Sequence, residues 1–306
     1  MRKMDATKAY LRTRKKIFEK YGIDPKSNFT ETDGPVKKIH YLELGAGDPL
    51  LLIHGGLSHS GEWLKILKPL SEYYHVFALD RPGHGLSEPI DYRGVDYRKS
   101  AADFIRSVMD ALGIKKANLM GNSMGGYFSL AFTLDFPDRV NKLVLIGAPA
   151  GMNRWIPPML RLLGIPGLNR FLGKTVAKPS AKGARMIHQQ LLVADIDKVI
   201  PEELEFTALN QALPGAALAH TTMLENVLDL GGWKKKWSIN AELSRLTIPV
   251  QFIWGDHDAF EGPETGRVKA ARIKNHRFDL IENAGHLPWL DQPEICVQKA
   301  LEFLKS

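Results

Sequence analysis

Cysteine is almost missing from this chain: Cys296 stands alone among 306 residues, so no disulfide can form within it. There is no Cys-x-x-Cys pair and no clustered Cys/His ligand set, so no structural zinc site is expected. Cys296 falls in the expected last helix and reads as a buried structural thiol. Long apolar runs are missing too. None approaches the roughly 18 residues that a membrane-spanning helix needs, and no apolar stretch of roughly 7–15 residues follows the basic N-terminus as a signal peptide requires. These absences point to a cytoplasmic protein. Internal repeats and low-complexity tracts are absent as well.

Positive charge is not spread over the chain. The net charge is +7, but eight Lys or Arg face only Asp5 and Glu19 between Met1 and Lys20, a local excess of +6. The remainder is nearly balanced, so no basic domain face for nucleic acid is expected. Residues 1–24 read as a basic amphipathic helix, with Met4, Leu11, Phe18 and Tyr10, Ile17, Tyr21 at helical spacing. Such a helix packs on its own domain or on a partner subunit; peripheral contact with an acidic membrane surface is the alternative. The oligomeric state is left open.

From Val36 onward the pattern alternates. Val36–Leu44 reads as an edge-type strand, and the apolar runs at 50–54 and 74–80 read as buried strands. Helical stripes follow at 62–70 and 97–112, then a strand at 117–120, a helix at 124–135 and a strand at 142–147. After Trp237 strands are expected at 249–255 and 276–282, with helices at 264–271 and 293–304. This βα alternation predicts an α/β fold with a mostly parallel central sheet flanked by helices. Between 148 and 237 the rhythm breaks into helix-like segments punctuated by Pro157, Pro158, Pro166, Pro179 and Pro201. The expected organisation is a core over 25–147 and 238–306 with a helical cap, or lid, inserted at 148–237.

The core carries G-N-S-M-G-G over 121–126, at a strand-to-helix junction. That is the setting of a nucleophile elbow, in which Ser123 stands on a sharp turn and Gly121 and Gly125 avoid collisions. A serine hydroxyl needs a base to become nucleophilic. In this fold the chain order is serine, acid, histidine, and two later strands end in I-W-G-D-H-D (253–258) and E-N-A-G-H-L-P (282–288). His286 is the candidate base and Asp258 the candidate acid, with Asp256 assigned to the turn. His54 and His84 read as loop organisers. The oxyanion hole is expected from the N–H of Met124 and that of Gly56, with Leu57 as the other candidate.

Five landmarks then fall in order: L-L-I-H-G-G, A-L-D-R-P-G-H-G-L-S, G-N-S-M-G-G, I-W-G-D-H-D and N-A-G-H-L-P-W-L-D-Q-P-E. Together they resemble the α/β-hydrolase superfamily. The resemblance implies a cofactor-free Ser123–His286–Asp258 triad acting through an acyl-enzyme or a close relative of it, beneath a helical cap. Serine at the elbow argues against the haloalkane dehalogenase and epoxide hydrolase branches, which place aspartate there. Asn122 is similar to the carbon–carbon hydrolases of aromatic meta-cleavage products. Those usually carry an aromatic where this chain has Leu287, and their cap arginine has only Arg161, Arg170 and Arg185 as candidates here.

The expected function is hydrolysis of a carboxylic ester or thioester with an apolar part, a small-molecule substrate received by an apolar cap rich in Trp155, Met159, Leu160, Leu163, Phe171 and Met186. Asn122, Trp155 and Leu287 are the candidate substrate contacts. A carbon–carbon hydrolase is the second reading. A ligand-binding protein with negligible turnover on the same scaffold is the third.

Overall fold

The computed structural model describes residues 3–175 and 178–306; Met1, Arg2 and the side chain of Met4, all assigned above to the basic helix, lie outside what is described. Helix α1 (Lys3–Lys20) leads into strands β1 (Lys26–Glu31), β2 (Lys38–Leu44) and β3 (Pro49–Ile53). Helix α2 (Leu64–Ser71), β4 (His75–Leu79), α3 (Tyr97–Ala111), β5 (Ala117–Gly121), α4 (Met124–Asp135) and β6 (Val140–Ile146) follow. Then come α5 (Pro158–Arg161), α6 (Leu168–Thr175), α7 (Ala181–Ile187), α8 (Pro201–Gln211), α9 (Ala216–Val227) and a short hairpin of β7 (Leu228–Asp229) and β8 (Gly232–Trp233). The chain closes with β9 (Val250–Gly255), α10 (Pro263–Ala270), β10 (His276–Ile281), α11 (Pro288–Asp291) and α12 (Pro293–Lys305).

The eight-stranded sheet has the order β1-β2-β4-β3-β5-β6-β9-β10. Pairs β1/β2 and β2/β4 are antiparallel and the rest are parallel. The expectation of an edge strand at 36–44 is corrected here: β2 lies inside the sheet and β1 is the edge. The sequence K-S-N-F-T-E gives little apolar signal, and its Phe29 is itself exposed. An edge strand with one solvated face needs no buried run.

Alternate residues of the inner strands feed two cores. Leu51, Ile53, Leu119, Leu143, Leu145 and Phe252 pack with α3 and α4. Leu50, Leu52, Met120, Val144, Ile146 and Ile253 pack on the other face with α2, α12 and α1. The segment between β6 and β9 joins both cores: Met223 and Val227 of α9 enter the first, Leu204 and Phe206 of α8 the second. Helix α1 turns its apolar stripe inward, with Tyr10, Ile17 and Phe18 buried. Tyr10 stacks on Phe206 with ring centroids 4.9 Å apart, and Tyr21 donates to Glu203 Oε1 at 2.8 Å. Cys296 is buried, and burial pushes its thiol well up. Among the described residues no helix is long and apolar enough to cross a membrane.

Candidate active site

Parallel strands leave their carboxyl ends along one edge, and the loops there hold the chemistry-bearing residues. Ser123 follows β5 directly. Its backbone is at φ 51° and ψ −114°, a conformation L-residues rarely adopt, and it begins α4. Strain of this kind costs about 1–3 kcal/mol and persists only where the surroundings enforce it. Here they do. A Cβ at Gly125 would lie 1.9 Å from the Ile53 carbonyl oxygen, and one at Gly121 would lie 2.6 Å from that of Gly125. Glycine at both places lets α4 sit against β3 and β5.

His286 lies on the loop after β10. Its Nδ1 is 2.9 and 3.0 Å from the two carboxylate oxygens of Asp258, whose side chain is fully buried after β9. Asp258 is held in turn by the Ala148 N–H on one oxygen and the Phe260 N–H on the other, each at 2.9 Å. With Nδ1 donating to Asp258, Nε2 is left as the free acceptor. That Nε2 is buried and has no partner among the described residues. Both His286 and Ser123 line one cavity. Asp256, by contrast, accepts from His257 and from the Ala284 N–H, and so ties the turn.

Asn122 is fully buried, and its amide donates to the carbonyls of Ile146 at 2.7 Å and His286 at 3.2 Å. It thus fixes the backbone of the histidine to that of β6, besides lining the cavity. Leu287 is buried against the same cavity, and its N–H donates to the Leu192 carbonyl at 2.8 Å.

The backbone N–H groups of Gly56, Leu57 and Met124, all cavity-lining residues, are among those with no partner among the described residues. Leu57 is at φ 58°, a further left-handed position for a residue with a side chain. Arg81, after β4, holds this loop from behind. Its guanidinium donates to the carbonyls of His54 at 3.0 Å and Gly55 at 2.7 Å and lies over the Phe128 ring. His54 accepts the Arg81 N–H at Nε2, and His84 reaches the Pro82 carbonyl. Asp80, fully buried, receives the N–H groups of Ser60 and Leu86. Burial alone would raise its carboxyl, but His40 beside it, with His54 and His59, holds it well below the usual carboxylate range. Nothing in the sequence pattern had singled out Asp80 and Arg81 as organisers of the loop.

The cavity measures about 220 Å³ and its wall is mostly apolar, including Ile156, Leu160, Leu163, Ile187, Leu191 and Trp233. Trp155, expected to touch substrate, is not among the lining residues and stands 47% exposed. The chain turns its neighbour Ile156 inward instead. Met159, Phe171 and Met186 are likewise exposed and outside the lining. The three candidate arginines are elsewhere: Arg161 binds the Ile156 carbonyl, Arg170 pairs with Glu225 and Arg185 with Asp197. Among the described lining residues there is no lysine or arginine, and one acid, Glu62, that the sequence reading passed over. No group of three or more His, Cys, Asp or Glu able to hold a metal occurs among the described residues.

A family model described as alpha/beta hydrolase fold matches residues 48–187. A hydrolase of Paraburkholderia phymatum named for 2-hydroxy-6-oxononadienedioate and its trienedioate is 30% identical over 280 residues, covering 89% of this chain and 92% of that one. The 2-hydroxy-6-oxo-6-phenylhexa-2,4-dienoate hydrolase of Comamonas testosteroni is 27% identical, covering 88% and 91%. Among solved structures, a Bacillus subtilis carboxylesterase superposes with a TM-score of 0.79 at 22% identity, covering 98% of each chain.

Proposed function

The chain belongs to the alpha/beta hydrolase fold family and is a hydrolase; from that premise we propose that it cleaves a carboxylic ester or thioester with an apolar moiety through Ser123, His286 and Asp258. Residues 148–237 act in this reading as a cap over a core formed by 25–147 and 238–306. The observation that carries it is the unpartnered Nε2 of His286, held from behind by Asp258 and opening into the same apolar cavity as Ser123.

His286 takes the Ser123 proton at Nε2 as Oγ attacks the acyl carbon. The oxyanion is received by the N–H groups of Met124 and Gly56, or Leu57 in place of Gly56, at the positive end of α4. His286⁺, stabilised by Asp258, then returns the proton to the leaving alcohol or thiol. Water repeats the sequence on the acyl-enzyme. Ser123→Ala is expected to lower kcat on p-nitrophenyl butyrate by about 10³-fold or more with little change in fold. A fluorophosphonate should add its mass to the peptide carrying Ser123. Unchanged turnover in Ser123→Ala would overturn the mechanism.

The second reading, a carbon–carbon hydrolase, is favoured by the names of the Paraburkholderia and Comamonas relatives. That no lysine or arginine stands among the described lining residues weighs against it, because those substrates are carboxylates. Bleaching of a coloured 2-hydroxy-6-oxodienoate faster than ester turnover would reverse the preference. The apolar face of α1 is spent on α8, which supports packing on its own domain over attachment to a membrane. Co-sedimentation with anionic vesicles at low salt would show the opposite.

A further inference from the structure

Glu62 is an acid placed where the proposed reaction does not call for one. It sits in the 3₁₀ turn Ser60–Trp63 ahead of α2, with its backbone fixed at both ends. The N–H donates to the His59 carbonyl, and the carbonyl accepts from Trp289 Nε1, each at 3.1 Å. The residue lines the cavity that Ser123 and His286 share. It also lines a smaller neighbouring cavity with His59, His188 and Glu203.

No cation answers it. Among the described residues Glu62 makes no ion pair. Lys65, three residues further along the chain, is committed elsewhere: its Nζ donates to the carbonyls of Lys198 and Leu290 and lies 3.8 Å from Glu203. Glu203, on α8, adds a second negative group on that side; the basic groups that line these cavities with Glu62 are His286, His188 and His59, the last two held neutral by burial. Burial pushes the Glu62 carboxyl up to about 7, while Ser58 and His286 pull it down and Glu203 pushes it up.

We propose that Glu62 sets the charge selectivity of the catalytic cavity: once ionised it rejects substrates whose acyl chain carries a carboxylate and admits neutral ones. The proposal rests on the ester-hydrolase reading for the identity of the reaction. A carboxylate entering a mostly apolar chamber would lose hydration, meet no guanidinium or ammonium among the described lining residues, and face a like charge. Below the Glu62 titration the like charge is gone and the discrimination narrows.

The test compares p-nitrophenyl hexanoate with mono-p-nitrophenyl adipate, which differ by a terminal carboxylate ionised throughout pH 6–8.5. The quantity read is the ratio of their kcat/KM values, in which the titration of His286 cancels. The neutral ester should be favoured, and the preference should grow roughly tenfold as pH rises through 7, the size of one unit charge a few ångströms away at intermediate dielectric. In Glu62→Gln the ratio should be smaller and independent of pH. An unchanged ratio and slope in that variant would overturn the proposal. Should the variant not fold, a wild-type ratio that is flat with pH overturns it equally. If neither ester is turned over, the ester reading fails, and charge preference is read by calorimetry instead. Hexylammonium should then bind more tightly than hexanoate, with the gap closing in Glu62→Gln; equal affinities in the wild type would refute it.

Discussion

A single methyl group separates the elbow from collapse. Gly125 lies so close to β3 that a Cβ would meet the Ile53 carbonyl at 1.9 Å, and backbone cannot give way as a flexible side chain would. Gly125→Ala should therefore cost about 1–3 kcal/mol in urea denaturation and depress turnover together with stability. Asn122 works at the same scale. Removing its amide strands the carbonyls of Ile146 and His286. Asn122→Ala should lose about 1–3 kcal/mol and lower kcat more than it alters KM, since it positions His286. Glu62 carries a pH signature in stability as well. Its carboxyl titrates higher when folded, so the unfolded chain releases that proton first as pH rises from the ordinary carboxylate range toward 7. The native state then becomes less stable with rising pH. Glu62→Gln should raise the melting temperature more at pH 8 than at pH 5.

Among the elements, α1 and α8 form the contact that ties the N-terminal arm to the segment between β6 and β9. Phe206 of α8 is the centre of it, stacked on Tyr10 and edge-on to Phe18 and His59. Tyr10 also reaches His59 Nδ1 at 3.3 Å, on the loop that presents Gly56 and Leu57. Phe206→Ala should destabilise the protein by about 3–5 kcal/mol, measured by denaturant midpoint. The helix was legible because its apolar spacing is regular. Its partner was not, because α8 carries no mark of what packs on it. β1 escaped notice for the opposite reason: an edge strand with one wet face has no apolar run to betray it.

Over the whole molecule, buried histidines couple the fold to acid. His54, His84 and His220 are held neutral by burial and by the guanidinium of Arg81, His220 down to about 3. Burial likewise brings His59 down to about 4, against the pull of Asp80. The unfolded chain binds protons at these sites below the ordinary histidine value near 6.5, while the native state does not. Stability should therefore fall as pH drops below about 6.5 and keep falling toward 4. Melting temperature against pH would show it, and His220→Gln should flatten the slope.

The strand-to-helix junction at Ser123, the glycines beside it and the parallel core were determined by the sequence alone, because each rests on local rules: apolar runs, turn residues and spacing along the chain. Asp258 was the acid expected from the sequence, but that Asn122 ties the histidine backbone to β6 follows only from distant strands meeting at one sheet edge. Residues between β6 and β9 show the same limit. Trp155 and Ile156 are equally apolar neighbours, and only the packed structure turns Ile156 inward and leaves Trp155 in solvent. Glu62 in sequence is an ordinary acid at the start of a helix. The folded chain decides its character, because only there does it share a cavity with His286 and no lysine or arginine among the described lining residues.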